Sequence, residues 1–232
     1  MKDASVPYDE VESLARLLKG RRPGLMGIVS EYAVLVPLVE REDGLYLLYE
    51  VRSHTLRRQP GEVCFPGGRV EGTESPEGCA LRETEEELSI PPSAVRILGR
   101  MDFIAHRANF IMHPILALVK EGAVEHMTLN PGEVDQTFLA PLSHLLNTPP
   151  LEYDYRLIPE TGESFPYELI GIPRDYQWQI GSENVPVYSW QGHAIWGLTG
   201  RITRHLVQLI QEAERWDHET HKKYGLEQEY DR

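Results

Sequence analysis

Residues 68–90 read GRVEGTESPEGCALRETEEELSI, and this stretch spells out a loop, a helix and a carboxylate face in that order. Ser75 followed by Pro76 predicts the helix start, a capping hydroxyl and then proline at the first helical position. Ala80, Leu81, Thr84 and Leu88 form a mostly apolar stripe able to bury one side. On the other side Glu83, Glu86 and Glu87 recur at helical spacing, which brings their side chains within reach of a common point. Unaided, each such like-charged pair costs a helix roughly 0.2–0.5 kcal/mol. A hard divalent cation reverses that sign, because Mg²⁺ and Mn²⁺ prefer oxygen ligands. Arg82, one turn before Glu86, is placed to hold that carboxylate. A glutamate run alone is more often a solvated helix face. The cap, the stripe and the arginine favour a metal site here.

Upstream, Phe65-Pro66-Gly67-Gly68 closes an extended segment on two glycines, which let backbone approach a ligand or metal where a side chain would clash. With that loop included, the unit resembles the Nudix box, G-x5-E-x7-R-E-U-x-E-E-x-G-U, where U is a bulky apolar residue. Gly68, Glu74, Arg82, Glu83, Glu86, Glu87 and Ile90 fall at its matching positions. Thr84 stands where an aliphatic residue is usual. Ser89 replaces the glycine that normally ends the helix, and a slightly different helix exit is expected there, since serine accepts a left-handed backbone less readily.

A second resemblance bears on substrate. Coenzyme A pyrophosphatases of the Nudix family carry an upstream pattern close to L-L-T-x-R-S-x3-R-x3-G-x3-F-P-G-G. Arg52, Ser53, Arg57, Gly61, Phe65, Pro66, Gly67 and Gly68 match it with the spacing intact. Tyr49 and Glu50 stand where leucine and threonine would, in a segment read as a buried strand that need keep only its apolar character. The resemblance implies substrate-binding roles for Arg52, Ser53, Arg57, Gly61, Phe65 and Gly67. Arginine's planar fork suits phosphate, and Arg52, Arg57, Arg58 and Arg69 are concentrated in a chain with 23 Lys and Arg against 36 Asp and Glu, net charge -13. Arg58 and Arg69 read equally well as surface ion-pair partners, and His54 as an ordinary loop histidine.

That acidity argues against general nucleic-acid binding. No apolar run reaches the ~18 residues a membrane span needs, and the polar start MKDASVPYDE is no secretory signal. With only Cys64 and Cys79, a disulfide framework is not expected and a reducing, cytoplasmic setting fits. A homodimer is an option on general frequency alone.

Hydrophobic patterning predicts an amphipathic helix over residues 8–20, with Val11, Leu14 and Leu17-Leu18 on one side. Strands follow at Tyr32–Val39 and Tyr46–Val51, then at Val95–Ile104, Phe110–Val119 and Val134–Leu139. Pro141–Leu146 suits a short helix, while Leu151–Leu157 and Tyr167–Ile172 read as strands. A long helix is expected at Ala194–Glu214, with Ile195 on its apolar face and a charged tail fraying from Trp216. This order fits the α/β class, an α/β/α sandwich with a mixed sheet between helices, and the resemblance implies the same as a single Nudix domain over 1–232. The N-terminal helix and a C-terminal elaboration from about 150 flank it. Residues 150–193 could form a lid, a dimer contact or plain packing. Their aromatics, Tyr153, Tyr155, Tyr176, Trp178 and Trp190, read as core or interface.

The family resemblance implies metal-dependent hydrolysis of the pyrophosphate of coenzyme A or its derivatives, giving 3′,5′-ADP and (acyl-)4′-phosphopantetheine. Mg²⁺ or Mn²⁺ would be held by Glu83, Glu86 and Glu87, with the Gly68 carbonyl as a further ligand. Glu83 or Glu86 would take the water's proton. Arg82 orients the glutamates, Glu74 sits near the helix start where negative charge suits the dipole, and Glu133, before a strand, could add a ligand or base from another loop but reads more readily as a turn residue. The alternatives are a Nudix hydrolase of another nucleoside diphosphate (ADP-ribose or a dinucleotide), a catalytically silent nucleotide-binding Nudix fold, and a structural domain whose glutamates are only solvated.

Overall fold

The computed structural model describes residues 8–224, with side chains from 9 to 213. Its elements run α1 (Tyr8–Lys19), β1 (Ser30–Arg41), β2 (Gly44–Arg52), β3 (Val63–Cys64), β4 (Gly67–Arg69), α2 (Pro76–Leu88), β5 (Val95–Arg100), β6 (Ile104–His106) and β7 (Phe110–Val119). There follow α3 (Glu121–Glu125), β8 (Val134–Pro141), α4 (Leu142–Asn147), β9 (Leu151–Leu157), α5 (Tyr167–Ile170), β10 (Gly181–Trp190), β11 (His193–Ile195) and α6 (Gly197–Tyr224).

β1 is the centre of the main sheet. It runs antiparallel to β2 and parallel to β7, from Ser30 opposite Phe110 to Val39 opposite Val119. β3 and β8 pair with β2, β5 and β6 with β7, and β4 folds back on β1. One parallel pair among antiparallel ones makes the sheet mixed. Period-two alternation then sorts the side chains. Ala33, Leu35 and Val39 of β1, with Leu48 of β2, meet Cys79, Ala80 and Leu88 of α2 on one face. Val36, Leu38, Leu47 and Tyr49 meet Leu142 and Leu145 of α4 and Ile202 and Leu206 of α6 on the other. The expected α/β/α sandwich is what results.

A smaller sheet, ordered β11-β10-β9, carries the C-terminal elaboration. It is tied to the main sheet where the Trp190 indole donates to the Leu139 carbonyl at 3.0 Å. It lies tight on α6 at Gly200, where a Cβ would come within 2.5 Å of the Pro186 carbonyl oxygen.

Several expectations are corrected. The strand read at Tyr167–Ile172 is the single turn α5, opened by Pro166 and closed by Gly171 in the left-handed region at φ 72°. The long helix begins at Gly197 and not Ala194, because His193–Ile195 is strand β11; Ile195 pairs with Tyr188 and enters the core from a strand. Its backbone stays helical past Trp216 to Tyr224, and the rest of the tail lies outside the described residues. The strand from Val95 is interrupted after Arg100 and resumes as β6, with an irregular register between Ile97 and Gly99. β10 was not foreseen at all. α1 forms, yet Val11, Leu14, Leu17 and Leu18 are exposed, so its stripe covers no core.

Candidate active site

Ser75 caps α2 by accepting from the Gly78 amide at 3.1 Å. At the far end Ser89 takes the left-handed conformation itself, φ 56° and ψ 28°, with its amide donating to the Glu85 carbonyl. The expected change of exit does not occur: Leu88 and Ile90 on either side are fully buried and hold the turn in the geometry glycine would supply. The Glu87 and Leu88 carbonyls are then taken up by the amides of Asn130 (2.8 Å) and Thr128 (3.2 Å). These bonds draw the loop before β8, and with it Glu133, back towards α2.

Arg82 is the hub of the carboxylates. Its guanidinium donates to Glu74 at 3.0 Å, Glu83 at 2.9 Å, Glu86 at 3.3 Å and the Arg69 carbonyl at 3.3 Å. Arg82 therefore positions the loop as well as the helix, and Glu74 sits well below the usual carboxylate range because of it. Glu87 is turned inward and buried, accepting from the Gly67 amide at 2.9 Å. The glycines make this close approach feasible. A Cβ on Gly67 would lie 2.3 Å from the Ala33 carbonyl oxygen, and one on Gly68 would lie 2.2 Å from Glu83 Oε1. Thr84, fully buried, returns its hydroxyl to the Ala80 carbonyl at 2.7 Å and so fills an aliphatic position without an orphaned polar atom.

Glu83, Glu87, Gly67, Gly68 and Phe65 line one wall of a cavity of about 800 Å³. Arg52 and Glu133 line it too, so Glu133 is more than a turn residue in its placement. Glu86 is exposed on α2 and is not part of the wall. Of the arginines, Arg52, Arg58 and Arg69 border the cavity, whereas Arg57 is exposed outside it. Ser53 is buried, its hydroxyl donating to the Pro131 carbonyl at 3.1 Å, and Gly61 forms a left-handed turn against His54. Both shape the Arg52–Gly68 loop and neither faces the cavity.

Two contributions escaped the sequence reading. Glu50, placed in a strand expected to be apolar, is a fully buried carboxylate. Burial raises its pKa, with Glu133 and Glu83 adding to the effect, and burial followed by Glu50 and Glu83 raises that of Glu87. Glu83 is raised as well, chiefly by burial, against the pull of Arg82. The second contribution is the opposite wall from the C-terminal elaboration. There Glu183 of β10 accepts from Arg107, Arg201 and the Tyr155 hydroxyl, which keep its pKa low although burial opposes them. Period-two polarity in β2 would have flagged Glu50; the second wall had no local signal.

The donor set fits a hard divalent cation in kind, since carboxylates raised by burial and mutual repulsion are what such an ion relieves. Among the described residues no three His, Cys, Asp or Glu side chains converge on one point as they stand. Glu83 and Glu86 each meet Arg82 through one carboxylate oxygen, Oε1 and Oε2 respectively, which leaves the other oxygen of each outside that contact.

The model of the NUDIX domain matches residues 30–160. Nudix hydrolase NudL of Yersinia enterocolitica, itself uncharacterized, is 35% identical over 83% of this chain and 88% of that protein. The human mitochondrial coenzyme A diphosphatase NUDT8 is 33% identical over 84% of this chain and 75% of its own. The mouse peroxisomal coenzyme A diphosphatase NUDT7 is 32% identical over 59% and 56%. Among solved structures, the Caenorhabditis elegans Ap4A hydrolase binary complex aligns over 48% of this chain and 80% of that one, at 21% identity and a TM-score of 0.41.

Proposed function

For a chain that belongs to the Nudix family of pyrophosphohydrolases, we propose hydrolysis of the pyrophosphate of coenzyme A or its derivatives, with Mg²⁺ or Mn²⁺, to 3′,5′-ADP and (acyl-)4′-phosphopantetheine. The observation that carries this reading is a juxtaposition. The Arg52–Gly68 loop, with its coenzyme A-type spacing, and the carboxylates of α2 open onto one cavity. The two mammalian relatives named as coenzyme A diphosphatases support it.

A bound divalent ion polarises phosphoryl oxygens and lowers the pKa of a bound water. Glu83 and Glu87 would hold that ion from α2, with the Gly68 carbonyl beside them and Glu86 joining through the oxygen outside its Arg82 contact. Of the two glutamates considered as base, Glu83 faces the cavity, and we assign it the water's proton. Arg52 carries a buried Nε with no hydrogen-bond partner among the described residues. Arg52 lines the cavity, where its fork would suit a phosphate oxygen. Arg58 and Arg69, at the cavity edge, are better placed than Arg57 to meet a further phosphate.

The test is a substrate panel of coenzyme A, acyl-coenzyme A, ADP-ribose and dinucleotides with Mg²⁺ or Mn²⁺, the products identified by mass. Coenzyme A turnover that Arg52→Ala weakens through KM is expected. Intact coenzyme A at high enzyme concentration, alongside cleaved ADP-ribose, assigns the site to another nucleoside diphosphate. No turnover of anything would leave a silent nucleotide-binding fold.

A further inference from the structure

β2 carries a charge where its alternation calls for an apolar side chain. Leu48 packs against the α2 face, and period-two geometry points Glu50 to that same face, just before the β8 register shifts between Val51 and Arg52. Glu50 is 1% exposed. Its Oε1 accepts from Cys64 Sγ at 3.1 Å, a weak donor, while Oε2 is closed off from solvent with no hydrogen-bond partner among the described residues. An orphaned buried carboxylate oxygen is costly unless a proton or a cation meets it. The charged and titratable groups acting on Glu50 come from every side: Cys64 on β3, Glu83 on α2, Glu133 on the loop before β8, and Arg52 further along β2. Glu87 of α2 acts on it in turn. Arg82 pairs with Glu83 at 2.9 Å, but neither Glu50 nor Glu87 has an ion-pair partner among the described residues.

We propose that Glu50 belongs to the divalent-cation site, supplying a carboxylate from the sheet to meet those that Glu83 and Glu87 supply from α2. This rests on the metal-dependent reading above and goes one residue further. The coenzyme A-type pattern has a threonine at this position, so Glu50 adds a negative charge that the pattern lacks. The site of this chain is accordingly more acidic than the pattern implies, and binds the ion from two layers of the sandwich at once. The competing account is a proton held permanently in the Glu50 carboxyl, with Cys64 as its neighbour and no part in metal binding.

The experiment measures Mn²⁺ binding to the full chain by calorimetry, together with melting temperature with and without Mn²⁺. It compares wild type, the isosteric Glu50→Gln, and Glu50→Thr, which restores the pattern's residue should glutamine pack poorly. Both variants are expected to weaken Mn²⁺ binding by roughly tenfold or more, to shrink the Mn²⁺-induced rise in melting temperature, and to melt no lower than wild type without metal. A loss of affinity under about threefold in the folded variants overturns the proposal and leaves Glu50 a protonated structural acid. Wild type that binds no Mn²⁺ defeats the metal-dependent reading itself and this inference with it. Wild type that binds and hydrolyses, beside variants that bind equally well, defeats the role of Glu50 alone.

Discussion

Tyr49 and Glu50 are adjacent on β2, equally buried, and on opposite faces of one sheet. Tyr49 is satisfied in every respect: its ring stacks between Phe65 and Phe138 and its hydroxyl meets Thr203 of α6 at 2.9 Å. Glu50 is left with an oxygen that nothing among the described residues bonds. The α6 face is thus a scaffold that buries no carboxylate: its buried Tyr49 hydroxyl is paired, and the Tyr188 hydroxyl, which has no partner among the described residues, is neutral. The α2 face gathers carboxyls that burial and one another's proximity push towards the protonated form until a cation meets them. Both faces bury comparable apolar cores, so the difference lies in what the polar atoms await. Functional sites are where such local rules are broken and compensated elsewhere.

The sharpest way to break this comparison is Glu87→Gln. If the α2 face is the reactive one, turnover falls by roughly 10²–10³-fold, because several kcal/mol of charge stabilisation at phosphorus depend on the ion that Glu87 helps to hold. Circular dichroism should show the fold unchanged, since the amide oxygen still accepts from Gly67. Glu86→Gln should cost less, as Glu86 is exposed and leans on Arg82. Equal losses would mean that Glu86 binds the ion as fully as Glu87.

The next effect is a slope. Burial and neighbouring carboxylates hold Glu50 and Glu87 above the ordinary value of 4.5. The folded chain then retains protons that the unfolded chain has released, so stability without metal falls as pH rises from about 4.5 towards and through neutrality. Saturating Mn²⁺ should flatten that slope, because the ion stabilises the ionised form. Melting curves across this range, with and without Mn²⁺, read it directly. A metal-free stability that climbs with pH would mean that these carboxyls are not held towards the protonated form.

Much of this division was legible in the sequence. The cap at Ser75-Pro76, the stripe of α2 and the strands β1, β2, β7 and β8 follow from local periodicity, and the glutamates from helical spacing. What failed was non-local. Whether 167–172 pairs as a strand depends on what lies beside it, and β10 became a strand only by pairing with β9 and β11. The exposed stripe of α1 has the right period with no core to meet. The wall made by Arg107, Tyr155 and Glu183 joins three distant segments, each unremarkable alone. Arg57 and Arg58 are neighbours on one loop, and its path decides which of them borders the cavity.

On the scaffold face, Tyr49→Phe tests whether the buried hydroxyl is structural only. Its removal leaves Thr203 Oγ1 buried with one partner fewer, at a cost of about 1–2 kcal/mol in urea unfolding. The rate of hydrolysis should not change. A loss of activity with unchanged stability would show that the two faces are coupled through β2, and that the scaffold is not inert.

The smallest effect concerns the hinge between the two descriptions of α2, its left-handed exit at Ser89. A non-glycine residue in that region pays roughly 1 kcal/mol in steric cost, which glycine does not. Glycine in turn loses more freedom on folding, by about 0.5–1 kcal/mol. Ser89 is exposed and its side chain caps nothing here, so no hydrogen bond is forfeited by the change. Ser89→Gly should therefore stabilise the chain slightly, by at most about 0.5 kcal/mol, with no change in turnover. Because Leu88, Ile90 and the Asn130 and Thr128 amides already hold the exit, the glutamates should not shift. A measurable gain or loss of activity would mean that the serine backbone strain reaches Glu87, two residues away on the helix, and that the geometry of the carboxylate face is set at its end as well as by Arg82.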